Sequence, residues 1–420
     1  MIRRIGIIGL GDMGMLMAKL FAKGGYQVYG SDLPSKCSSL QQENKISNFE
    51  ITEDGRAVVS TADFILFCVE SENIENVVAQ LGPYIKKGTV VGGQTSVKAP
   101  EIEAFEKYLS ADVHIATIHS LHGPHVNPEG QTLVAINHKC PEDIFQDFLK
   151  VIACLGSTIE VLNSTEEHDK MMADIQVVTH IGFESIGTSF MHRGVFPWEN
   201  PLLTSGIDNV KMLMTLRIYS YKHHVYSGLA MLNPFAKSHV RQYAQAENEL
   251  FGLMISGDEN GFREILMEAK TKVFSDFPGQ LMLSDDVMKE YSLHPSSAYK
   301  PNSHLSLLAM VLTWARLGTN PYKNVLCHTP PFKLRVGMAE YLFLDQDLFD
   351  KSIDAALTDM SIRIDDLAFH TAVQEWAHIV EIGDKKGYES HFERTRTFLK
   401  DRLEEGRKLS SLLIERLNNE

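Results

Sequence analysis

Over roughly the first 160 residues the apolar positions alternate between two rhythms. Short β-branched and aromatic runs at 4–9, 27–31, 63–69, 89–93, 113–118, 133–137 and 158–161 predict strands. Between them, 13–23, 74–85, 100–108 and 142–155 carry apolar residues at helical spacing. Apolar strands separated by helices predict a largely parallel sheet covered on both faces. The last strands are expected to extend it in a mixed sense. After Asn163 the rhythm changes. Ser164 or Thr165, followed by Glu166 and Glu167, makes a helix start. From there to Glu420 nearly everything reads as helix, with a break at 293–302. The fold class is therefore α/β followed by all-α. The expected domains are 1–162, 163–294 and 295–420.

The helical part contains an internal echo. His180, Gly194, Pro197 and Asn200 recur as His304, Gly318, Pro321 and Asn324, all displaced by 124 residues, and Trp198 corresponds to Tyr322. With a gap of six, Arg217 matches Arg335. A tandem duplication would let two helical modules of one chain imitate the contact between two subunits.

At 420 residues, with 44% hydrophobic and 22% charged positions, the chain has the composition of an ordinary globular protein of two or three domains. Its formal charge of −14 and lack of a basic stripe argue against a nucleic-acid partner. Cys37, Cys68, Cys140, Cys154 and Cys327 are scattered without metal spacing, as in a reduced compartment, and no metal is expected. No apolar run reaches the ~18 residues of a membrane span, so a cytoplasmic location is expected.

Chemistry concentrates at strand ends. Gly9-Leu10-Gly11-Asp12-Met13-Gly14 lies between the first strand and the first helix. In that context the three glycines form a dinucleotide fingerprint, with phosphates facing the helix amino end. The N-terminal part is thus a Rossmann dinucleotide-binding domain. Ser31-Asp32 ends the second strand, where an acid bonds an adenosine ribose and favours NAD. Ser31, Ser35 and Lys36 would instead hold a 2′-phosphate if Asp32 turned away. Ser96, in Gly92-Gly-Gln-Thr-Ser-Val-Lys98, is either a donor near the nicotinamide or a helix cap. His119 and His122, in His-Ser-Leu-His-Gly-Pro, follow an apolar strand, and an imidazole there suits proton transfer. Further on, His168-Asp169, Gln176 and His180 recur at helical spacing, with Gln176 and His180 on one face. His223-His224 lacks a convergent acid or thiolate for zinc.

Together these segments resemble the prephenate and arogenate dehydrogenase family, most closely its fungal prephenate dehydrogenases, over nearly the whole chain. Gly9–Gly14 is similar to the family's dinucleotide loop, Ser96-Val-Lys98 to its Ser-Val-Lys loop, and His119 through Pro124 to the segment bearing its catalytic histidine. Glu167-His-Asp169 with Gln176 and His180 resembles the substrate-binding helix, and Arg217-Ile-Tyr with Tyr226 and Asn233 the arginine segment. The resemblance implies oxidative decarboxylation of prephenate to 4-hydroxyphenylpyruvate and CO2, with NADP as cofactor and NAD as the alternative. It implies His119 as proton acceptor, Ser96 orienting the hydroxyl, and Arg217, His180, Gln176 and Tyr226 around the substrate. His122 becomes a packing or substrate-shaping neighbour. It also implies a homodimer, or a monomer if the helical modules pair in cis.

The chain departs from the family pattern at Ser120, where many relatives have proline, and at His125, where many have an acid. The rival enzymatic reading is a β-hydroxyacid or 6-phosphogluconate-type dehydrogenase, whose lysine would have to be Lys170. Arogenate as substrate and a non-catalytic NAD(P)-sensing protein complete the alternatives.

Overall fold

The computed structural model describes residues 2–43, 46–199, 206–283 and 301–419. They form two compact units: Met1–Lys170 with Leu232–Pro234, and Met171–Met231 with Phe235–Glu420. Asn200 and most of the predicted break at 293–302 lie outside the described residues.

The first unit is built on eight strands: β1 (Arg4–Ile8), β2 (Gln27–Ser31), β3 (Phe49–Thr52), β4 (Phe64–Phe67), β5 (Val90–Gly93), β6 (His114–Ser120), β7 (Thr132–Lys139) and β8 (Thr158–Leu162). Their order is β3-β2-β1-β4-β5-β6-β7-β8. All neighbours are parallel except β6 and β7, so the sheet is mixed at that end, as expected. Alternation along the strands sends successive side chains to opposite faces. Ile5, Ile7, Phe64, Leu66 and Ile118 meet α1 (Asp12–Lys23) and α6 (Glu142–Ile152) through Phe21 and Phe148. Ile8, Ile65, Phe67 and Val91 meet α3 (Gly55–Thr61), α4 (Ile74–Leu81) and α5 (Ala99–Tyr108) through Val58, Val78 and Phe105. The strand order reverses between β1 and β4, the switch point at which such sheets open a ligand crevice.

Sequence periodicity misses β3, α2 (Pro34–Glu43) and α3. The four residues of β3 form the sheet edge. Helix α2 buries only Cys37, so it has no apolar stripe to read. Helix α3 is short and rests on its cap, Asp54, which accepts the amides of Arg56 and Ala57.

After α7 (Thr165–Met172) comes a π-helical stretch, Ala173–Val177, then α8 (Val178–Arg193), α9 (Gly206–Ser220), α10 (His224–Leu232), α11 (Ala236–Ser256) and α12 (Glu259–Val273). The series resumes with α13 (Leu305–Leu317), α14 (Pro330–Leu344), α15 (Gln346–Thr358), α16 (Arg363–Ile382), α17 (Lys385–Leu399) and α18 (Leu403–Asn419).

The internal echo has a structural counterpart. Helices α8 and α13 both end on a left-handed glycine, Gly194 (φ 64°) and Gly318 (φ 68°). Each is followed by a 3-10 turn, Pro197–Glu199 and Pro321–Lys323, and then by α9 or α14, with both boundaries displaced by the same 124 residues. Helices α11 and α16 end on Gly257 and Gly383, and the next helices start on Asp258 and Asp384, which cap Gly261 and Gly387. The halves interlock. Helix α8 packs on α16 and α17, and α13 packs on α11 and α12.

Candidate functional site

Gly9 has φ +94°, and a Cβ there would lie 2.6 Å from the Cys68 carbonyl oxygen. A Cβ on Gly14 would lie 1.9 Å from the Gly9 oxygen, so only glycine lets α1 start this close to the turn. Around Gly11 nothing comes within 4 Å of the corresponding position. Leu10 is buried in this turn, whereas Asp12 is exposed and Met13 half-buried. Open space at a helix amino end fits a dinucleotide pyrophosphate.

Asp32 does not project as a ribose-binding acid. Its Oδ2 accepts the Leu10 amide at 2.7 Å and its Oδ1 the Leu33 amide at 2.6 Å. The carboxylate is engaged in holding the glycine turn, and the exposed Lys36 stands 3.7 Å from Oδ1. Ser31 is buried and its carbonyl accepts the Gly9 amide, while Ser35 is exposed. An inward Asp32 beside Lys36 and Ser35 is compatible with a 2′-phosphate, which a projecting carboxylate would repel.

His119, near the end of β6, is 8% exposed. Its Nδ1 lies 2.9 Å from His168 Nε2, and His168 Nδ1 lies 2.8 Å from Asp169 Oδ1. Asp169 is anchored by the first amides of α5: Lys98 N donates to Oδ1 at 2.7 Å and Ala99 N to Oδ2 at 2.8 Å. These bonds fix proton positions. An ionised Asp169 only accepts, so His168 carries its hydrogen on Nδ1 and presents a lone pair at Nε2. His119 must then carry hydrogen on Nδ1, leaving its Nε2 as a lone pair. Burial, then the neighbouring His168 and Lys98, hold the His119 pKa well below its ordinary value. His168 is lowered in the same way by burial and Lys98. Burial pushes Asp169 up to about 6, against the pull of the Lys98 and Ala99 amides and the Lys98 charge. His119 is therefore a neutral acceptor.

Lys98 is wholly buried, with Nζ 2.7 Å from Ile118 O, 3.1 Å from Thr117 Oγ1 and 3.1 Å from Glu101 Oε1. Thr95 and Thr117 also donate to the Glu101 carboxylate. This ion pair clamps the ends of β5 and β6 to the start of α5. Ser96 is half-buried in the same loop and does not cap α5, because the amides at that end donate to Asp169. His122 donates from Nδ1 to its neighbour's carbonyl, Gly123 O, at 3.0 Å, and its Nε2 is buried without a partner. That carbonyl fixes the same Nδ1–H tautomer as in His119, but it is neutral, whereas the His119 chain ends on the Asp169 carboxylate. His125 and Lys170 are exposed.

In the second unit His180 is buried on α8, edge-on to Tyr226 at 4.8 Å and 6.3 Å from the Phe332 ring. The guanidinium of Arg335, on α14, lies 4.7 Å above that same Phe332 ring. Arg335 is 5% exposed, touches Thr179 Oγ1 at 3.4 Å, and leaves Nε without a partner. Among the described residues no carboxylate pairs with it. Burial pulls its pKa down to about 10, and its charge adds to burial in keeping His180 neutral. Gln176 leaves its Oε1 buried and unpartnered in the π-helical stretch. Arg217, on α9, stands near enough for its charge to act on both Arg335 and Tyr226. Its Nη1 lies 3.0 Å from Ser411 Oγ and 3.4 Å from Ser410 Oγ on α18, and its guanidinium packs over Tyr221. The structure thus adds Arg335 to the group of His180 and Tyr226, with Arg217 close by. The signal lay in the echo: a gapless displacement of 124 pairs Arg335 with Lys211, not with Arg217. Among the described residues no cluster of three or more metal-ligating side chains occurs, and no helix is long and apolar enough to cross a membrane.

The prephenate dehydrogenase [NADP(+)] of Saccharomyces cerevisiae is 43% identical over 98% of this chain and 93% of its own length. The chain belongs to the prephenate dehydrogenase family. A second member, the probable prephenate dehydrogenase [NADP(+)] of Schizosaccharomyces pombe, is 40% identical over 99% of this chain and 97% of its own. Residues 4–119 match the NAD-binding domain of 6-phosphogluconate dehydrogenase, and 177–419 match a 6-phosphogluconate dehydrogenase C-terminal domain. The crystal structure of Aquifex aeolicus prephenate dehydrogenase in complex with hydroxyphenyl propionate and NAD+ shares the fold. It superposes with a TM-score of 0.53 at 19% identity, covering 65% of this chain and 98% of that one. The family is thus the one its loops resemble, and a lysine-based 6-phosphogluconate-type chemistry finds only an exposed Lys170.

Proposed function

We propose that this chain converts prephenate to 4-hydroxyphenylpyruvate and CO2 with NADP+ as oxidant, a step of tyrosine biosynthesis, and that His119 Nε2 is its proton acceptor. The observation that carries the assignment of the base is the fixed hydrogen-bond order from the Lys98 and Ala99 amides through Asp169 and His168 to His119.

Bound NADP+ supplies the acceptor for the hydride that leaves the ring carbon bearing the substrate hydroxyl. As that carbon becomes a carbonyl, the hydroxyl proton passes to His119 Nε2. The imidazolium that forms keeps its Nδ1–H bond to His168, and the Asp169 carboxylate stabilises the charge through that bond. Cleavage of the bond to the ring carboxylate sends its electron pair into the ring, which becomes aromatic. The phenolate oxygen takes the proton back from His119, so the base is regenerated within the turnover.

Ser96 orients the reacting hydroxyl. Arg335 joins Arg217 as a carboxylate-binding residue, since a buried guanidinium without a carboxylate partner is suited to bidentate pairing. His180, Tyr226 and Gln176 complement it as neutral donors and packing surfaces.

The test is the absorbance of reduced nicotinamide when purified protein meets prephenate with NADP+ or NAD+ in parallel, with the product identified by chromatography. No reduction with either cofactor would refute the reading; reduction with 4-hydroxyphenylpyruvate as product is the expected result.

A further inference from the structure

The interlocked repeats of the second unit make positions in one half correspond to positions in the other. At the constant displacement of 124 residues, His180, Phe332 and Arg335 correspond to His304, Asp208 and Lys211. The first set places the histidine of one half beside the arginine of the other. The second set does the reverse: Lys211 Nζ lies 3.0 Å from His304 Nδ1. An isologous pair of contacts has this form. The molecule therefore holds a second, related site.

That second site has changed its chemistry. Where Phe332 cushions Arg335, Asp208 stands beside Lys211 and takes its charge, Oδ1 to Nζ at 2.8 Å. The Lys211 ammonium is thus ion-paired within the site. Because the ammonium donates to His304 Nδ1, the imidazole is neutral and carries its hydrogen on Nε2. His304 holds a left-handed backbone, φ 48°, a conformation uncommon for a non-glycine residue and found preferentially at functional positions.

A cavity of about 190 Å³ opens here, walled by Ile186, Phe190, Met212 and Phe369 as well as the polar group. A cavity of about 150 Å³ takes a benzene ring, so one ring or its aliphatic equivalent fits. Three of the residues lining it each carry a buried polar atom without a hydrogen-bond partner: Asp208 Oδ2, Asp366 Oδ2 and His304 Nε2. Asp208 is 4%, Asp366 5% and His304 2% exposed, so all three are withdrawn from bulk solvent. Among the charged side chains lining the cavity, Asp208, Asp365 and Asp366 outnumber Arg193 and Lys211. Two unpartnered carboxylate oxygens and an excess negative charge, next to an apolar wall, ask for a donor-rich monocation.

We propose that this cavity binds a small primary-ammonium compound with a single-ring or aliphatic body, its ammonium held by Asp208 and Asp366. The site lies outside the machinery assigned to turnover, and the proposal stands whatever reaction that machinery performs.

Isothermal titration of the full chain with phenethylamine and with phenylacetate, two single-ring probes differing in their charged group, tests it. Saturable one-to-one binding of phenethylamine is expected, with phenylacetate at least tenfold weaker. Asp366→Asn should weaken phenethylamine at least tenfold without changing turnover. Met212→Trp, which fills the cavity, should abolish binding and serves if Asp366→Asn does not fold. Absence of saturable phenethylamine binding, equal binding of phenylacetate, or wild-type affinity in either folded variant overturns the proposal.

Discussion

His168 holds His119 by its Nδ1 edge, Nε2 to Nδ1 at 2.9 Å, so the ring's remaining nitrogen faces away from the bond as a lone pair. The direction of that bond depends on Asp169 being ionised. When Asp169 is protonated it can donate to His168 Nδ1, which turns both tautomers over and puts a hydrogen on His119 Nε2. Burial sets the Asp169 pKa at about 6, and His119 itself lies well below its ordinary value. Turnover should therefore fall as pH drops through about 6, on an acid limb belonging to Asp169. Asp169→Asn, whose amide donates to His168, should lose about 10³-fold or more in kcat, the scale of a wrong tautomer. A pH–rate profile of wild type and variant checks both; an unchanged limb in the variant would contradict the assignment.

Removing the base itself separates chemistry from cofactor binding. His119→Asn should lower kcat by about 10²–10⁴-fold, the usual worth of a positioned base. NADP+ affinity, read by fluorescence titration, should stay within a few-fold, because the glycine turn and Asp32 do not depend on His119.

The two arginines give graded expectations. Charge-assisted bonds are worth about 1.5–3 kcal/mol, so Arg335→Met should raise the KM for prephenate by about 10- to 150-fold. Arg217→Met should raise it less, since that guanidinium is already held by Ser410 and Ser411. Replacing a buried, unpaired cation by an apolar side chain of similar length should also raise the melting temperature. Substrate kinetics and thermal melts of the two variants decide the matter.

Glu184 gives a stability signature. Burial lifts its pKa to about 8, although Tyr388 donates to it at 2.6 Å. A folded-state pKa above the unfolded value means that the native protein binds more protons. Stability from this group is complete below the ordinary carboxylate range and declines as pH rises toward about 8. Glu184→Gln should flatten that decline, as melts from pH 5 to 9 would show.

The interlocked halves lead us to expect a monomer. Helices α8 and α13 already find their partners within one chain, on α16 and α11. Light scattering should accordingly give the mass of a single chain, and a dimer mass would oppose the reading.

The parts legible in the sequence were those carried by local spacing. The glycine turn, β1, α1 and the strand bearing His119 all follow from residues within one supersecondary unit. The tie from His119 to His168 crosses 49 residues and depends on how β6 meets the start of α7. Both residues were visible, but their relation was not. Asp32 has the position of a ribose-binding acid, yet its carboxylate bonds the Leu10 amide, a choice that only side-chain direction reveals. Arg335 was hidden by a gap. Aligning arginine with arginine required an insertion, whereas the helix boundaries of α9 and α14 admit none, and they set Arg335 against a lysine.

The interlocking of the two halves also sets a timetable for synthesis. Arg335 leaves the ribosome 155 residues after His180. At about 5–20 residues per second that is roughly 8–30 seconds. Throughout that interval α8, buried along most of its length in the finished protein, has no access to α16 or α17. Until its carboxyl-terminal half arrives, the nascent chain can cover this helix only with α9, α11 and the π-helical stretch, so the face that α16 and α17 will bury stays open during elongation.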